Sequence, residues 1–189
     1  MDLKAIERTL ASRERRVTPH EGRPVAAVLV TLYGPPPDYR IIYTVRSHDV
    51  EHHKGEISFP GGARDPGDDS LAATALRESF EEVGIKTEDV SVLGMLDDIV
   101  TITNFVVTPV VGRVDGHPYP FQPFQREVAE LLEVPLSHLR DPGNHVEHPN
   151  PPQGLQLPFP SYRFDEHLIF GATARMTTSF LGLLGEIAL

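Results

Sequence analysis

Leu3, Ile6 and Leu10 recur at helical spacing and predict a short amphipathic helix at the start of the chain, broken between Pro19 and Pro24. The pattern then changes. Val25–Tyr33 is a nearly unbroken run rich in Val and Ala and predicts a buried strand; Gly34-Pro35-Pro36-Pro37 leads to a second strand around Arg40–Val45. That pairing suggests an antiparallel hairpin. His48–Glu56 is polar and loop-like, and Ile57-Ser58-Phe59 predicts a strand that ends at a glycine turn, Pro60-Gly61-Gly62.

Residues from about Asp69 to Val83 have helix-forming composition, with Asp68, Asp69 and Ser70 as candidate caps and Gly84 placed to stop the helix. Strands are predicted near Val90–Leu96 and Phe105–Val114. Glu127–Leu132 lacks strand alternation and predicts a short helix or turn. Asp141–Pro160 is dense in Pro, Gly, Asn and His and predicts a long irregular loop. Tyr162–Phe164 and Leu168–Phe170 would form a closing hairpin, and Thr173–Ile187 a C-terminal helix. The fold class is α/β (α+β): a mixed sheet flanked by helices in a sandwich. At 189 residues the chain is expected to form one domain, 1–189, with a helix at 1–16 and the loop 141–160 as peripheral additions.

Composition narrows the function classes. The chain has no cysteine, which excludes disulfides, thiolate metal sites and cysteine nucleophiles. A formal net charge of -10 opposes generic nucleic-acid binding. No apolar run approaches the roughly 20 residues of a membrane span, and the charged N-terminus does not read as a secretory signal. No membrane partner and a cytoplasmic location are the expectations.

Candidate chemistry concentrates on the helix ending at Gly84. At about 100° per residue, Glu78, Glu81 and Glu82 fall within an arc of about 100°, with Ala72, Leu76, Phe80 and Val83 opposite. Bunched like charges destabilise a helix unless something offsets them. A divalent cation would do so, and hard carboxylate oxygens select Mg2+ or Mn2+. A solvated acidic face is the competing reading, and the more common origin of such triples.

The flanking residues tip that balance. Arg77-Glu78-Ser79-Phe80-Glu81-Glu82-Val83-Gly84-Ile85, preceded by Gly61-Gly62, resembles the Nudix box, with Ser79 at an aliphatic position, one extra residue between Gly62 and Arg77, and Asp68 or Asp69 where the first Glu is expected. The extra residue is similar to the coenzyme A pyrophosphatase branch of that superfamily. Ile42-Tyr43-Thr44-Val45-Arg46-Ser47 and the run from His53 to Gly62 also resemble segments of that branch. The resemblance covers about residues 25–180.

It implies Mg2+- or Mn2+-dependent hydrolysis of the pyrophosphate bond of coenzyme A or its thioesters, to 4′-phosphopantetheine (or its acyl form) and 3′-phosphoadenosine 5′-phosphate. Glu78, Glu81 and Glu82 would hold the metal. Arg46, His53, Lys54, Gly61 and Gly62 would contact substrate. Arg77 would orient the glutamate row through its i+4 partner Glu81. Glu127, with Glu130 as rival, would complete the metal shell or act as base. The partner is a small nucleoside diphosphate derivative, and the sequence leaves room for a homodimer. Alternatives are a Nudix enzyme for ADP-ribose, dinucleotides or nucleoside triphosphates, and a non-catalytic Nudix domain that binds or regulates.

Overall fold

The protein was examined as a computed structural model that describes residues 2–37, 39–47, 55–147 and 160–186. The first helix, α1 (Leu3–Ser12), begins where the Asp2 carboxylate accepts the Lys4 N–H at 2.9 Å, and it buries Ile6 and Leu10. It ends before the predicted residue 16. Beyond Ser12 the chain leaves the helix so that Arg13 and Arg16 pair with Asp97, while Arg15 pairs with the buried Asp98.

β1 (Val25–Leu32) and β2 (Arg40–Arg46) form where the apolar runs predict them, but not as a hairpin. Both edges of β1 are already filled, by β4 (Gly61–Ala63) antiparallel and by β7 (Val106–Val114) parallel. One bridge, Tyr33 to Arg40, joins the two strands before they diverge into different sheets. The glycine pair is likewise not a simple turn. β3 (Ile57–Ser58) pairs with β2, whereas Gly61 and Gly62 pair with Val28 and Ala27 of β1. The chain therefore changes sheets at Phe59-Pro60, with the Pro60 carbonyl accepting the Leu29 N–H at 2.8 Å.

α2 (Leu71–Val83) is capped by Ser70, whose side chain accepts the Ala73 N–H, and it closes at Gly84. There follow β5 (Val90–Met95), β6 (Ile99–Val100) and, after β7, β8 (Val128–Pro135). Residues 128–132 are thus a strand rather than the predicted short helix or turn. β8 pairs along β2 from Val134 opposite Ile41 to Leu131 opposite Thr44, and burial of Val128, Leu132 and Val134 outweighs the helix preference of Ala, Glu and Leu. Next come α3 (Leu136–Arg140), β9 (His145–Glu147), β10 (Pro160–Phe164), β11 (His167–Ile169) and α4 (Gly171–Glu186). The predicted loop 141–160 contains a 3-10 turn at Pro142–Asn144 and strand β9; its residues 148–159 lie outside the described residues. The closing hairpin pairs Tyr162 with Ile169 as anticipated.

The result is a mixed five-stranded sheet, β4-β1-β7-β5 with β6 also on β7, beside two antiparallel three-stranded sheets, β3-β2-β8 and β11-β10-β9. Alternation along β1 divides the core. Val28, Val30 and Leu32 join Leu10, Tyr43, Leu96 and Phe180 on one side, while Ala27 and Leu29 join Ala75, Val83, Ile85 and Val110 on the other. Helices cover both faces, which is why β1 reads as a continuous apolar run instead of an alternating one. Among the described residues, no helix is long and apolar enough to cross a membrane.

Gly84 takes a left-handed φ of 73°, its N–H donates to the Phe80 carbonyl, and an added Cβ would lie 3.0 Å from Gln122 Cβ. We expect Gly84→Ala to cost about 1–2 kcal/mol and to lower the midpoint of thermal unfolding by a few degrees, about 2–4 °C per kcal/mol for a chain of this size. An unchanged melting curve would show that the closure is not under conformational constraint.

Candidate metal and phosphate site

α2 sits on the sheet a quarter turn away from the orientation its apolar residues predict. Its buried positions are Thr74, Ala75, Ser79, Glu82 and Val83, while Phe80, predicted to face the core, is 54% exposed. Small side chains at Ala75 and Ser79 let the helix close down on the strand of Gly61 and Gly62. Ser79, which departs from an aliphatic pattern, is fully buried because its hydroxyl donates to the Ala75 carbonyl at 2.7 Å. The rotation carries the acidic row to the edge of the core. Glu82 is only 5% exposed, the Glu78 side chain 18%, and the Glu81 side chain 55%. A merely solvated acidic face would not bury two of its three carboxylates.

The glycine pair explains how they fit. Gly61 N–H donates to Glu82 Oε2 at 3.1 Å, and at φ 154° a Cβ on Gly61 would stand 2.4 Å from the Ala27 carbonyl oxygen. A Cβ on Gly62 would lie 2.5 Å from both Glu78 Cδ and Oε2. The missing side chain at Gly62 leaves room for the Glu78 carboxylate, and the one at Gly61 lets the strand lie against β1 with its N–H on Glu82.

Arg77 holds the other end. Its Nε and Nη2 each donate at 3.0 Å to the two oxygens of Asp68, Nη1 donates to Glu78 Oε1 at 2.8 Å and Glu81 Oε2 at 3.1 Å, and Nη2 reaches the Ala63 carbonyl at 3.0 Å. The predicted contact with Glu81 is present, within a wider fork. Of the two aspartates that the sequence could place before the helix, Asp68 is the buried one, and Asp69 is exposed. The Arg77 hydrogen bonds, with the Asp65 N–H, hold the Asp68 carboxyl well below the usual range.

Burial pushes Glu82 up to about 7, a rise reinforced by Glu78 and Glu127 and opposed by Gly61 N–H and the Arg46 charge. Glu78 is raised as well, first by burial, with Glu81 and Glu127 adding to the rise and Arg77 opposing it. These carboxylates therefore influence one another across one small volume. Glu127 reaches it from the neighbouring sheet. Phe124 N–H donates to the Glu82 carbonyl at 2.8 Å, Glu127 N–H to the Phe124 carbonyl at 2.8 Å, and Ser47 N–H to the Glu127 carbonyl at 2.8 Å. The β2/β8 register slips here: Val45 faces Glu130 but Arg46 faces Val128, leaving Ala129 as a bulge. The two rival acids have different surroundings: the backbone of Glu127 is tied to Phe124 and through it to the end of α2, while Glu130 pairs with His167 Nε2 at 3.3 Å; both are exposed. Arg46 Nε is buried and has no hydrogen-bond partner among the described residues. His53 and Lys54 lie outside the described residues.

Among the described residues, no three Asp, Glu or His side chains converge closely enough to hold a metal ion. Glu78 and Glu81 are turned onto Arg77, and Glu82 onto Gly61. The donor set nevertheless fits a hard divalent cation: oxygen ligands, mostly removed from water, whose charged forms are opposed by burial and by each other. Asp68 carries a signal in the sequence, its nine-residue spacing ahead of Arg77. The bulge at Ala129 and the Phe124–Glu82 contact depend on tertiary pairing and carry none.

Comparison with known proteins agrees with this geometry. The NUDIX domain profile matches residues 22–149. A protein named uncharacterized Nudix hydrolase NudL from Pectobacterium atrosepticum is 44% identical over 117 residues, covering 62% of this chain and 59% of the relative. Its namesake from Photorhabdus laumondii is 37% identical over 156 residues, 80% of each chain. Among solved structures, the M. smegmatis Nudix hydrolase RenU superposes with a TM-score of 0.50 at 26% identity, covering 59% of this chain and 70% of that one. A MutT/nudix family protein from Enterococcus faecalis shares the fold over 98% of this chain and 70% of its own, with a TM-score of 0.57 at 14% identity. The profile match encloses the glycine pair, all of α2 and Glu127, and this chain belongs to the Nudix family.

Proposed function

We propose that this protein is a phosphoanhydride hydrolase that cleaves the pyrophosphate bond of coenzyme A or its thioesters, releasing 4′-phosphopantetheine (or its acyl form) and 3′-phosphoadenosine 5′-phosphate. The observation that carries the hydrolytic reading is the burial of Glu82 against Gly61 N–H with Glu78 beside it. The coenzyme A assignment is supported by the sequence from His53 to Gly62 and by the extra residue between Gly62 and Arg77, both similar to that branch of the family.

Nudix hydrolases generally use divalent metals such as Mg2+ or Mn2+. Glu78, Glu81 and Glu82 would hold the ion here, and when bound it supplies charge neutralisation at phosphoryl oxygens and acidifies water. Arg77 keeps Glu78 and Glu81 oriented through its fork. Gly61 and Gly62 let their strand lie close against β1 and Glu78, and their backbone is assigned to contact substrate. Arg46, whose charge acts on Glu82, is the guanidinium assigned to a substrate phosphate oxygen. Glu127 accepts the proton of the attacking water, its position fixed by the backbone bonds to Phe124 and Ser47. No side-chain nucleophile takes part.

The deciding experiment is product chromatography with Mg2+ on coenzyme A, dephospho-coenzyme A, ADP-ribose, NADH and deoxynucleoside triphosphates. Coenzyme A is expected to be hydrolysed with the highest kcat/KM. A stronger preference for another compound would move the substrate within the family, and no turnover of any would leave a ligand-binding domain. Glu78→Gln and Glu82→Gln should each lower kcat at least about a hundred-fold while circular dichroism stays unchanged. Near-normal turnover by either purified variant would remove it from the machinery.

Glu82 also predicts a pH dependence. Its folded value, about 7, lies above the ordinary 4.5, so between these values the native state holds more protons than the unfolded chain. Its contribution to stability is greatest below the unfolded value and falls as pH rises through the folded one. In chelator, the melting temperature should therefore decline between pH 5 and pH 8, with a shallower decline in Glu82→Gln. Parallel profiles for the two proteins would contradict this origin.

A further inference from the structure

The connection between β7 and β8, residues 115–127, carries His117, Tyr119, Phe121 and Phe124. The first three are packed together. His117 and Phe121 each lie 5.1 Å from the Tyr33 ring, and Tyr119 lies 5.0 Å from Phe121. Tyr119 N–H donates to the Tyr33 hydroxyl at 2.9 Å, and its own hydroxyl donates to Asp89 and accepts the Lys86 N–H. Phe124 has no aromatic partner among the described residues and is 46% exposed. Its backbone, in contrast, is fixed on both sides: its N–H donates to Glu82, and its carbonyl accepts Glu127 N–H at 2.8 Å and Val128 N–H at 2.9 Å. An exposed apolar ring thus stands on a backbone hydrogen-bonded to the end of α2 that carries Glu82 and to the turn that carries the candidate base. The other exposed aromatic of this neighbourhood, Phe80, sits about 160° around α2 from Glu82 and serves a different face.

We propose that Phe124 is a specificity residue: the platform on which the purine of a nucleoside diphosphate derivative stacks while its diphosphate occupies the acidic site. This rests on the hydrolytic reading of Glu78 and Glu82. The groups assigned to the phosphates, Arg46 and the glycine backbone, respond to charge and are blind to the base. A flat hydrophobic surface whose backbone is hydrogen-bonded to the Glu82 carbonyl supplies the missing discrimination. Planar bases stack on aromatic rings whatever their hydrogen-bonding edge, whereas a flexible amide arm such as pantetheine presents no flat face to match.

The test compares Phe124→Ala, Phe124→Tyr and the wild type, with Mg2+, on coenzyme A and on a simple dialkyl diphosphate that has no base. The ratio of kcat/KM between the two substrates should fall about ten-fold in Phe124→Ala, chiefly through the KM for coenzyme A, and recover in Phe124→Tyr. A ratio within two-fold of wild type, or equal losses on both substrates, would overturn the proposal; equal losses would show that the ring only supports the Glu127 turn. Calorimetric titration with adenosine 5′-monophosphate gives a readout independent of turnover. Binding that weakens about ten-fold in Phe124→Ala and returns in Phe124→Tyr supports the platform even if the wild type hydrolyses nothing, in which case the hydrolytic reading fails alone. Failure of the monophosphate to bind the wild type, or dependence of 4′-phosphopantetheine binding on Phe124 in its place, overturns the platform and leaves the hydrolytic reading standing.

Discussion

Arg77 joins three stretches of chain by hydrogen bonds from one side chain: the strand at Ala63, the loop at Asp68 and the helix at Glu78 and Glu81. Its planar fork satisfies both oxygens of Asp68 and still presents a nitrogen to the acidic row. Such geometry is available to guanidinium and not to an ammonium group. With the loop anchored in this way, α2 can lie close to the Gly61–Ala63 strand, and only then do Glu78 and Glu82 leave water. The raised values of these two acids are a result of that approach.

The close approach has a steric side of equal weight. Ala75 and Ser79 on the helix and Gly62 on the strand are small where helix and strand meet, and Gly61 is small where its strand meets β1. The buried Ser79 hydroxyl shows the same economy, since it closes on its own helix and needs no partner across the interface. Acidity, burial and small residues form a single packing solution.

Much of this could be read from the chain. The apolar runs located β1, β2 and β7, the caps located α2, and the spacing of Glu78, Glu81 and Glu82 marked the candidate site. What the sequence concealed was tertiary in origin. The face of α2 that turns inward is chosen by the strand it meets, so an apolar count favoured Phe80 over Glu82. Glu127–Leu132 has the composition of a helix, but β2 offers an open edge and the segment completes it. Pro60 reads as a turn because nothing local reveals that β1 has an edge waiting for Gly61 and Gly62. Glu127 and Glu130 look equivalent in sequence; they differ in space because Glu127 lies in the turn tied through Phe124 to α2, whereas Glu130 lies on β8 beside His167.

The passage of the chain from one sheet to another at Phe59-Pro60 has a mechanical consequence. The acidic wall is packed on the sheet containing β1 and β4, whereas Arg46 and Glu127 belong to the sheet of β2 and β8 or to the turn leading into it. The candidate site therefore lies on a seam between two sheets joined by that crossing. Any sliding of one sheet against the other changes the separation between the glutamates of α2 and the pair Arg46 and Glu127, so the rigidity of the short crossing sets how well the two groups of residues stay aligned.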